Sequence, residues 1–310
     1  MSHRLLLHFA AYLIFALVSE QANQKLSREL PSDVCERFVC ERVVTEEVVV
    51  AQRSLSEAQD QMPEHLTFQL DSKELNETRT LCVWLPPVYS QSKDNFPVLY
   101  MPDGGLKEDF PHIANTVAKL VATAKIPACI LVGIENTQRR RDLTGPSEVQ
   151  EEAKIAPISD GASKFRAFIR NELFPEVDRR FRTTKSRSII GESAAGLFIV
   201  ETLMLNPDMF DNYIAMDPAI YWNNRYLVRS AKSHLAKFSD SKKKFWFAGS
   251  NATDIYPNTR ELRDVLTQAA PASLTWNYLD QPNEKHNTIF RATKERALLW
   301  TFSPAEIENR

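Results

Sequence analysis

From about residue 66 onward the chain alternates short apolar runs with longer amphipathic stretches. Eight runs have strand length and strand-forming composition: 66–70, 80–85, 97–101, 128–134, 186–190, 212–216, 244–248 and 273–279. Pro86-Pro87 and the polar stretch 91–95 punctuate the early strands as turns, and the first three runs are joined by connections too short for helices. Those three are therefore expected to be antiparallel. The later runs alternate with helix-length segments, as parallel α/β units require. The clearest helix is predicted over 162–181, where Phe165, Phe168, Ile169, Leu173 and Val177 make one apolar face. Ser159 or Asp160 is placed to cap it, and Pro175 is expected to kink or interrupt it. This aromatic stripe reads as core.

The N-terminal part has a different pattern. Met1-Ser2-His3-Arg4 is a short basic start, 5–18 is continuously apolar, and Ser19-Glu20-Gln21-Ala22 turns polar. That layout predicts a signal peptide over 1–22, with an uncleaved anchor as the alternative; the apolar run is short for a membrane span, which takes about 20 residues. Residues 23–64 are polar and charged apart from an apolar patch at 43–50, and read as an N-terminal extension. The expected organisation is leader, extension, and one α/β domain over 65–310.

Composition adds constraints. Of 310 residues, 43% are hydrophobic and 25% charged, an ordinary balance for a soluble globular chain, and a formal net charge of -2 gives no reason to invoke nucleic acid. The four cysteines do not stand with a histidine at zinc spacing, so no metal site is expected. Cys35 and Cys40 are close enough to close a small loop; Cys82 and Cys129 lie in apolar runs and read at least as well as buried free thiols. Asn76 and Asn251 head glycosylation sequons.

The chemistry-bearing segment is Ser188-Ile189-Ile190-Gly191-Glu192-Ser193-Ala194-Ala195-Gly196. An apolar run enters a small residue, then Glu-Ser-Ala, then small residues and a helical stretch, which is how a nucleophile elbow reads. Such a turn exposes the serine hydroxyl and points the next N–H, that of Ala194, toward a developing oxyanion. The glycine usual two residues after the serine is replaced by Ala195, with Gly196 one position later. A serine nucleophile needs a base and an orienting acid, which follow it in that fold in the order acid, then histidine. His286 sits in a polar loop after the last strand and before a final amphipathic helix. Asp254, after the 244–248 strand, is the first candidate for the acid; Glu284 is the second, and a Ser–His dyad is a third arrangement. The second oxyanion donor is expected from Asp103-Gly104-Gly105 at the end of the third strand, with Gly105 supplying the N–H.

Several segments together resemble the Putative esterase family of α/β-hydrolases, which includes enterobactin and other siderophore esterases, esterase D-like proteins, feruloyl esterases and mycolyltransferases. They are Phe96 to Gly105, Gly133 to Thr144, Gly161 to Arg182, Gly191 to Phe198, Asp217 to Trp222, and His286 to Ile289, in order along about 65–303. The resemblance implies an α/β-hydrolase fold, a mostly parallel sheet of about eight strands with helices on both faces. It carries the roles of nucleophile, base and oxyanion donors onto Ser193, His286, Ala194 and Gly105. It implies a serine esterase that forms an acyl-enzyme on a small-molecule ester and uses no cofactor, and with the expected leader the enzyme is read as secreted or periplasmic. Acyl transfer of the mycolyltransferase type, or a non-catalytic binding protein on the same fold, are the alternatives. Arg139 and Arg141 are candidates for binding an acidic or catecholate substrate, and Tyr221 and Trp222 for walling the pocket. Two departures stand inside the elbow, Glu192 and Ala195, and Asp217-Pro218-Ala219 replaces a common Ser-Pro-Ser.

Overall fold

The computed structural model describes residues 60–156, 161–238 and 240–302. The expected leader, the expected extension through residue 59, Cys35 and Cys40, and the expected caps Ser159 and Asp160 lie outside the described residues.

All eight expected strands are present, as β1 (Leu66–Ser72), β2 (Glu77–Trp84), β3 (Phe96–Pro102), β4 (Ile130–Ile134), β5 (Thr183–Glu192), β6 (Asn212–Met216), β7 (Lys243–Gly249) and β8 (Leu274–Asp280). They form one sheet in the order β1-β2-β4-β3-β5-β6-β7-β8. β1–β2 and β2–β4 are antiparallel, and every pairing from β4 through β3 to β8 is parallel. The first expected pairing, β1 with β2, is as read. The second differs: β3 does not pair with β2, because β4 inserts between them. The short β2–β3 connection crosses over that gap through a turn of 3₁₀ helix at Pro87–Ser90.

The helices are α1 (Phe110–Ala122), α2 (Arg139–Leu143), α3 (Gln150–Ile155), α4 (Gly161–Phe168), α5 (Phe174–Arg180), α6 (Ala194–Leu205), α7 (Trp222–Leu235), α8 (Tyr256–Ala269) and α9 (Ile289–Phe302). Strand alternation sends successive side chains to opposite faces. Val98 and Tyr100 of β3, Tyr213 and Ala215 of β6, and Phe245 and Phe247 of β7 join the core under α4 to α8. Leu99 and Met101, Ile214 and Met216, and Trp246 and Ala248 join the core under α1 and α9. Both faces are buried, which is why the central strands read as unbroken apolar runs.

The helix expected over 162–181 exists in three pieces. Pro175 has no N–H to offer the carbonyl of Asn171. A π turn over Ile169–Leu173 precedes it, in which Phe174 N–H bonds to the Ile169 carbonyl, and α5 restarts with the proline in its first turn.

Arg79 on β2 is fully buried, a rare state for an arginine. Its guanidinium donates to Asp142 Oδ2 at 2.6 Å, Glu77 Oε1 at 2.8 Å, Thr137 Oγ1 at 2.7 Å and the Glu135 carbonyl at 2.9 Å. It also packs over the rings of Phe165 and Phe168. This knot ties β2 to the segment after β4 and holds α2 in place. Arg79→Met leaves the fully buried Asp142 carboxylate short of a partner and is expected to cost about 3–5 kcal/mol in urea unfolding.

Candidate active site

The parallel strands β3 and β5 to β8 deliver their C-terminal ends to one edge of the sheet, where open α/β sheets place their sites. Ser193 follows β5 directly and precedes the first residue of α6. Its φ of 59° and ψ of -118° lie in a region that costs a non-glycine residue about 1–3 kcal/mol. Neighbouring backbone holds it there. Ser193 N–H bonds to the Met216 carbonyl, and the Ser193 carbonyl accepts from Ala219 N–H and Leu197 N–H.

The small residues around it have separate reasons. A Cβ on Gly191 would lie 2.7 Å from the Ala195 Cβ, so the bare α-carbon at 191 is what admits a methyl at 195. A Cβ on Gly196 would lie 2.9 Å from Pro218 Cα and 3.1 Å from the Met216 carbonyl, where the chain after β6 crosses the start of α6. The displaced glycine is therefore the one that the crossing chain requires.

His286, in the loop between β8 and α9, reaches back over this turn. Ser193 Oγ–H donates to His286 Nε2 at 3.0 Å, and His286 Nδ1–H donates to Asp217 Oδ2 at 2.6 Å. Asp217 is fully buried and directly follows β6. Its Oδ1 accepts Ser250 N–H at 2.6 Å, and its Oδ2 accepts Ser250 Oγ–H at 2.7 Å. The carboxylate is thus fixed by the end of β7 and aimed at the imidazole. The hydrogen bond to Asp217 is the main reason that the His286 pKa stands above its usual 6.5; the Asp217 charge reinforces it against partial burial of the ring. A hydroxyl, a neutral imidazole and a buried carboxylate in series can move a proton off the serine and stabilise the resulting imidazolium.

The acid is where the sequence reading needs correction. Asp254 is exposed in the turn before α8 and its side chain does not bond His286. Glu284 accepts from Thr288 instead. Asp217 holds the histidine, from the end of the strand before the one expected. The sequence offers only a weak pointer, an aspartate directly after an apolar strand and before Pro218; the structure adds that Asp217 takes a φ of 45°.

The oxyanion donors divide. Ala194 N–H opens α6 with no acceptor among the described residues. Gly105 N–H, by contrast, donates to Glu108 Oε2 at 2.7 Å. Asn136 braces the same carboxylate through Nδ2 at 2.8 Å. The expected Gly105 donor is therefore engaged within its own turn.

The two arginines proposed for substrate are also spoken for. Arg139 forks onto Asp103, with both N–H···O distances at 2.7 Å. Arg141 donates to Glu77 at 2.7 and 3.0 Å and to Asp142 at 2.6 Å. Trp222 is buried, and its Nε1–H bonds to the Gly145 carbonyl at 2.9 Å. Tyr221 is half-buried with Asp254, Glu152 and Arg140 in its electrostatic surroundings. Of the four, Tyr221 alone makes no side-chain hydrogen bond or ion pair among the described residues, and its ring packs against the core.

The sheet and this serine site define an α/β-hydrolase of the serine type. A family model described as Putative esterase matches residues 72–302, and the chain belongs to that family. It is 26% identical over 257 residues to the ferri-bacillibactin esterase BesA of Bacillus subtilis, covering 74% of this chain and 87% of that one. It is 36% identical over 110 residues to the siderophore triacetylfusarinine C esterase of Aspergillus fumigatus, 34% of each chain. An IroE-like serine hydrolase from Shewanella oneidensis superposes with a TM-score of 0.71 at 26% identity, over 77% of this chain and 80% of that one. The protein is a serine carboxylic ester hydrolase, and these relatives favour hydrolysis over the acyl-transfer and non-catalytic alternatives. Among the described residues, no helix is long and apolar enough to cross a membrane.

Asp217→Asn is expected to lower kcat by about 10⁴-fold with the fold intact, whereas Asp254→Asn leaves kcat near wild type; steady-state kinetics on an aryl ester separate the two. Because the imidazole must be neutral to accept the serine proton, kcat/KM should fall with decreasing pH around a midpoint above 6.5. Asp217→Asn should move that midpoint downward.

Proposed function

We propose that Ser193 is the nucleophile, His286 the general base and acid, and Asp217 the orienting carboxylate of an esterase acting on siderophore-type esters. The observation that carries this reading is the continuous hydrogen-bond chain from Ser193 Oγ through His286 to the buried Asp217. In the first half-reaction Ser193 Oγ attacks the ester carbonyl while His286 Nε2 takes its proton. Ala194 N–H, at the start of α6, stabilises the tetrahedral oxyanion, and the helix dipole adds to it. His286 then returns the proton to the leaving alkoxide, and the acyl group stays on Ser193. Water, activated by the same imidazole, releases the acid and restores the hydroxyl.

The ester class rests on the relatives' names, those of a ferri-bacillibactin esterase and a triacetylfusarinine C esterase. Tyr221 is assigned to the wall of the substrate pocket, where its half-buried ring offers a flat face. Arg139 and Arg141 act instead as scaffold, since their carboxylate partners leave no fork free for a substrate anion. The 1–22 segment is assigned as an export leader on its basic start and apolar 5–18 core, which makes the mature enzyme secreted or periplasmic.

Ser193→Ala should abolish fluorophosphonate labelling and reduce ester turnover by at least about 10³-fold. A panel of an aryl ester, a short acyl ester, a catecholate trilactone and a hydroxamate triester tests the substrate class. One of the two siderophore esters should exceed the aryl ester in kcat/KM by about tenfold or more. Cleavage of the simple esters alone would overturn the siderophore assignment, and labelling of Ser193→Ala would overturn the nucleophile.

A further inference from the structure

We propose that Glu192 is a positioning residue of the reaction, one that works by carrying a proton beside His286 and that shuts the enzyme down when it ionises. The inference rests on the reading of Ser193 and His286 as nucleophile and base.

The geometry is the starting point. Glu192 is the last residue of β5 and the immediate neighbour of Ser193, so its position is fixed by the same clamped turn. Its Oε1 is sealed from solvent and has no hydrogen-bond partner among the described residues. Glu192 as a whole is half-buried, and a carboxylate with one oxygen sealed and unpaired forfeits part of its hydration without gaining a donor, whereas the neutral acid loses less.

The charges that act on it come from several elements. They are those of His286 in the β8–α9 loop, Asp217 at the end of β6, and Asp103 and Asp109 in the segment between β3 and α1. Arg291 on α9 acts on it too. Three of these five are carboxylates. Arg291 is already engaged on Asp60, and His286, a cation only when protonated, is engaged on Asp217. Burial is the largest influence and pushes the Glu192 carboxyl up to about 8, with His286 opposing it and the three aspartates adding to it. At neutral pH the elbow therefore presents an uncharged acid next to the nucleophile.

Ionisation would act on the chemistry in two ways. A carboxylate next to His286 makes the ring more basic, so it holds its proton when it should return it to the leaving group. It also sets a negative charge against the tetrahedral oxyanion on the adjacent residue. Both effects oppose turnover, so activity should fall as pH rises through the Glu192 titration. Stability has the same sign. A carboxyl raised from 4.5 to about 8 in the folded state gives its full contribution below about 4.5, and that contribution is lost as pH rises through 8.

The test is the pH profile of kcat/KM for a neutral p-nitrophenyl ester in wild type, Glu192→Gln and Ser193→Ala. Wild type should show an alkaline fall centred near pH 8, and Glu192→Gln should move that fall upward by more than one pH unit. Glu192→Gln should also flatten the decline of Tm between pH 5 and 8. Should Glu192→Gln not fold, ¹³C-carboxyl NMR of glutamate-labelled wild type reads the group directly, its resonance identified by its shift when a fluorophosphonate occupies Ser193. A carboxyl that titrates below pH 6, or an alkaline fall that survives in Glu192→Gln, overturns the proposal. Turnover that survives Ser193→Ala overturns the nucleophile reading instead, so the two failures are distinguishable.

Discussion

Three strands that lie side by side in the parallel sheet each run into a non-glycine residue with positive φ. Asp103 follows β3 at 55°, Ser193 follows β5 at 59° and Asp217 follows β6 at 45°. Each turn costs conformational energy, and each is held by hydrogen bonds from its neighbours. Asp103 is forked by Arg139 and its carbonyl accepts Asp109 N–H. Ser193 is bonded to Met216 and Ala219, and Asp217 to Ala248 and Ser250. The rest of the site follows from this shared constraint. A relaxed turn at any of the three would carry the chain off along the sheet and withdraw a side chain that the edge needs.

Much of this was legible in the sequence, and the illegible part has a physical explanation. The eight strands showed because both faces of the central sheet are buried, which leaves little polar interruption. The elbow showed because sterics leave few choices at 191, 195 and 196. His286 showed because it is a histidine in a polar loop that closes the chain order. The acid did not show, because β6 and β7 are neighbours and each is followed by an aspartate. Sequence cannot tell that Ser250 leaves β7 in the direction that pins Asp217, while Asp254 is carried out to the surface by the turn before α8. The arginines misled for a related reason. A cation is visible in the sequence, but its partner is not: Asp103 lies 36 residues from Arg139, and Glu77 lies 64 from Arg141. The place of β4 between β2 and β3 was hidden likewise, since loop length limits a crossover without dictating it.

The charge design of the site is inward. The guanidinium groups of Arg139 and Arg141 are spent on holding the loops in register, and the carboxylates of Asp217, Asp103 and Glu108 each have a fixed partner. Asp217 serves the histidine, Asp103 its arginine, and Glu108 its own turn. The loops around the nucleophile thus have the rigidity that a preorganised hydrolase needs, since little has to reorient when charge develops on the substrate. Glu108 is the exception that bears on turnover: an acyl oxygen that approaches Gly105 N–H meets a carboxylate already seated there.

Cys82 and Cys129 lie on the inner strand β2 and just before β4, both buried and unpaired. Burial pushes their thiols up to about 11 and about 12, far from the thiolate form that exchanges or oxidises. The described hydrolase fold therefore owes nothing to a covalent cross-link and keeps no thiolate within reach of an oxidant. Within the described residues, neither buried thiol offers a handle for glutathione or oxygen, so the active edge rests on packing and hydrogen bonds alone.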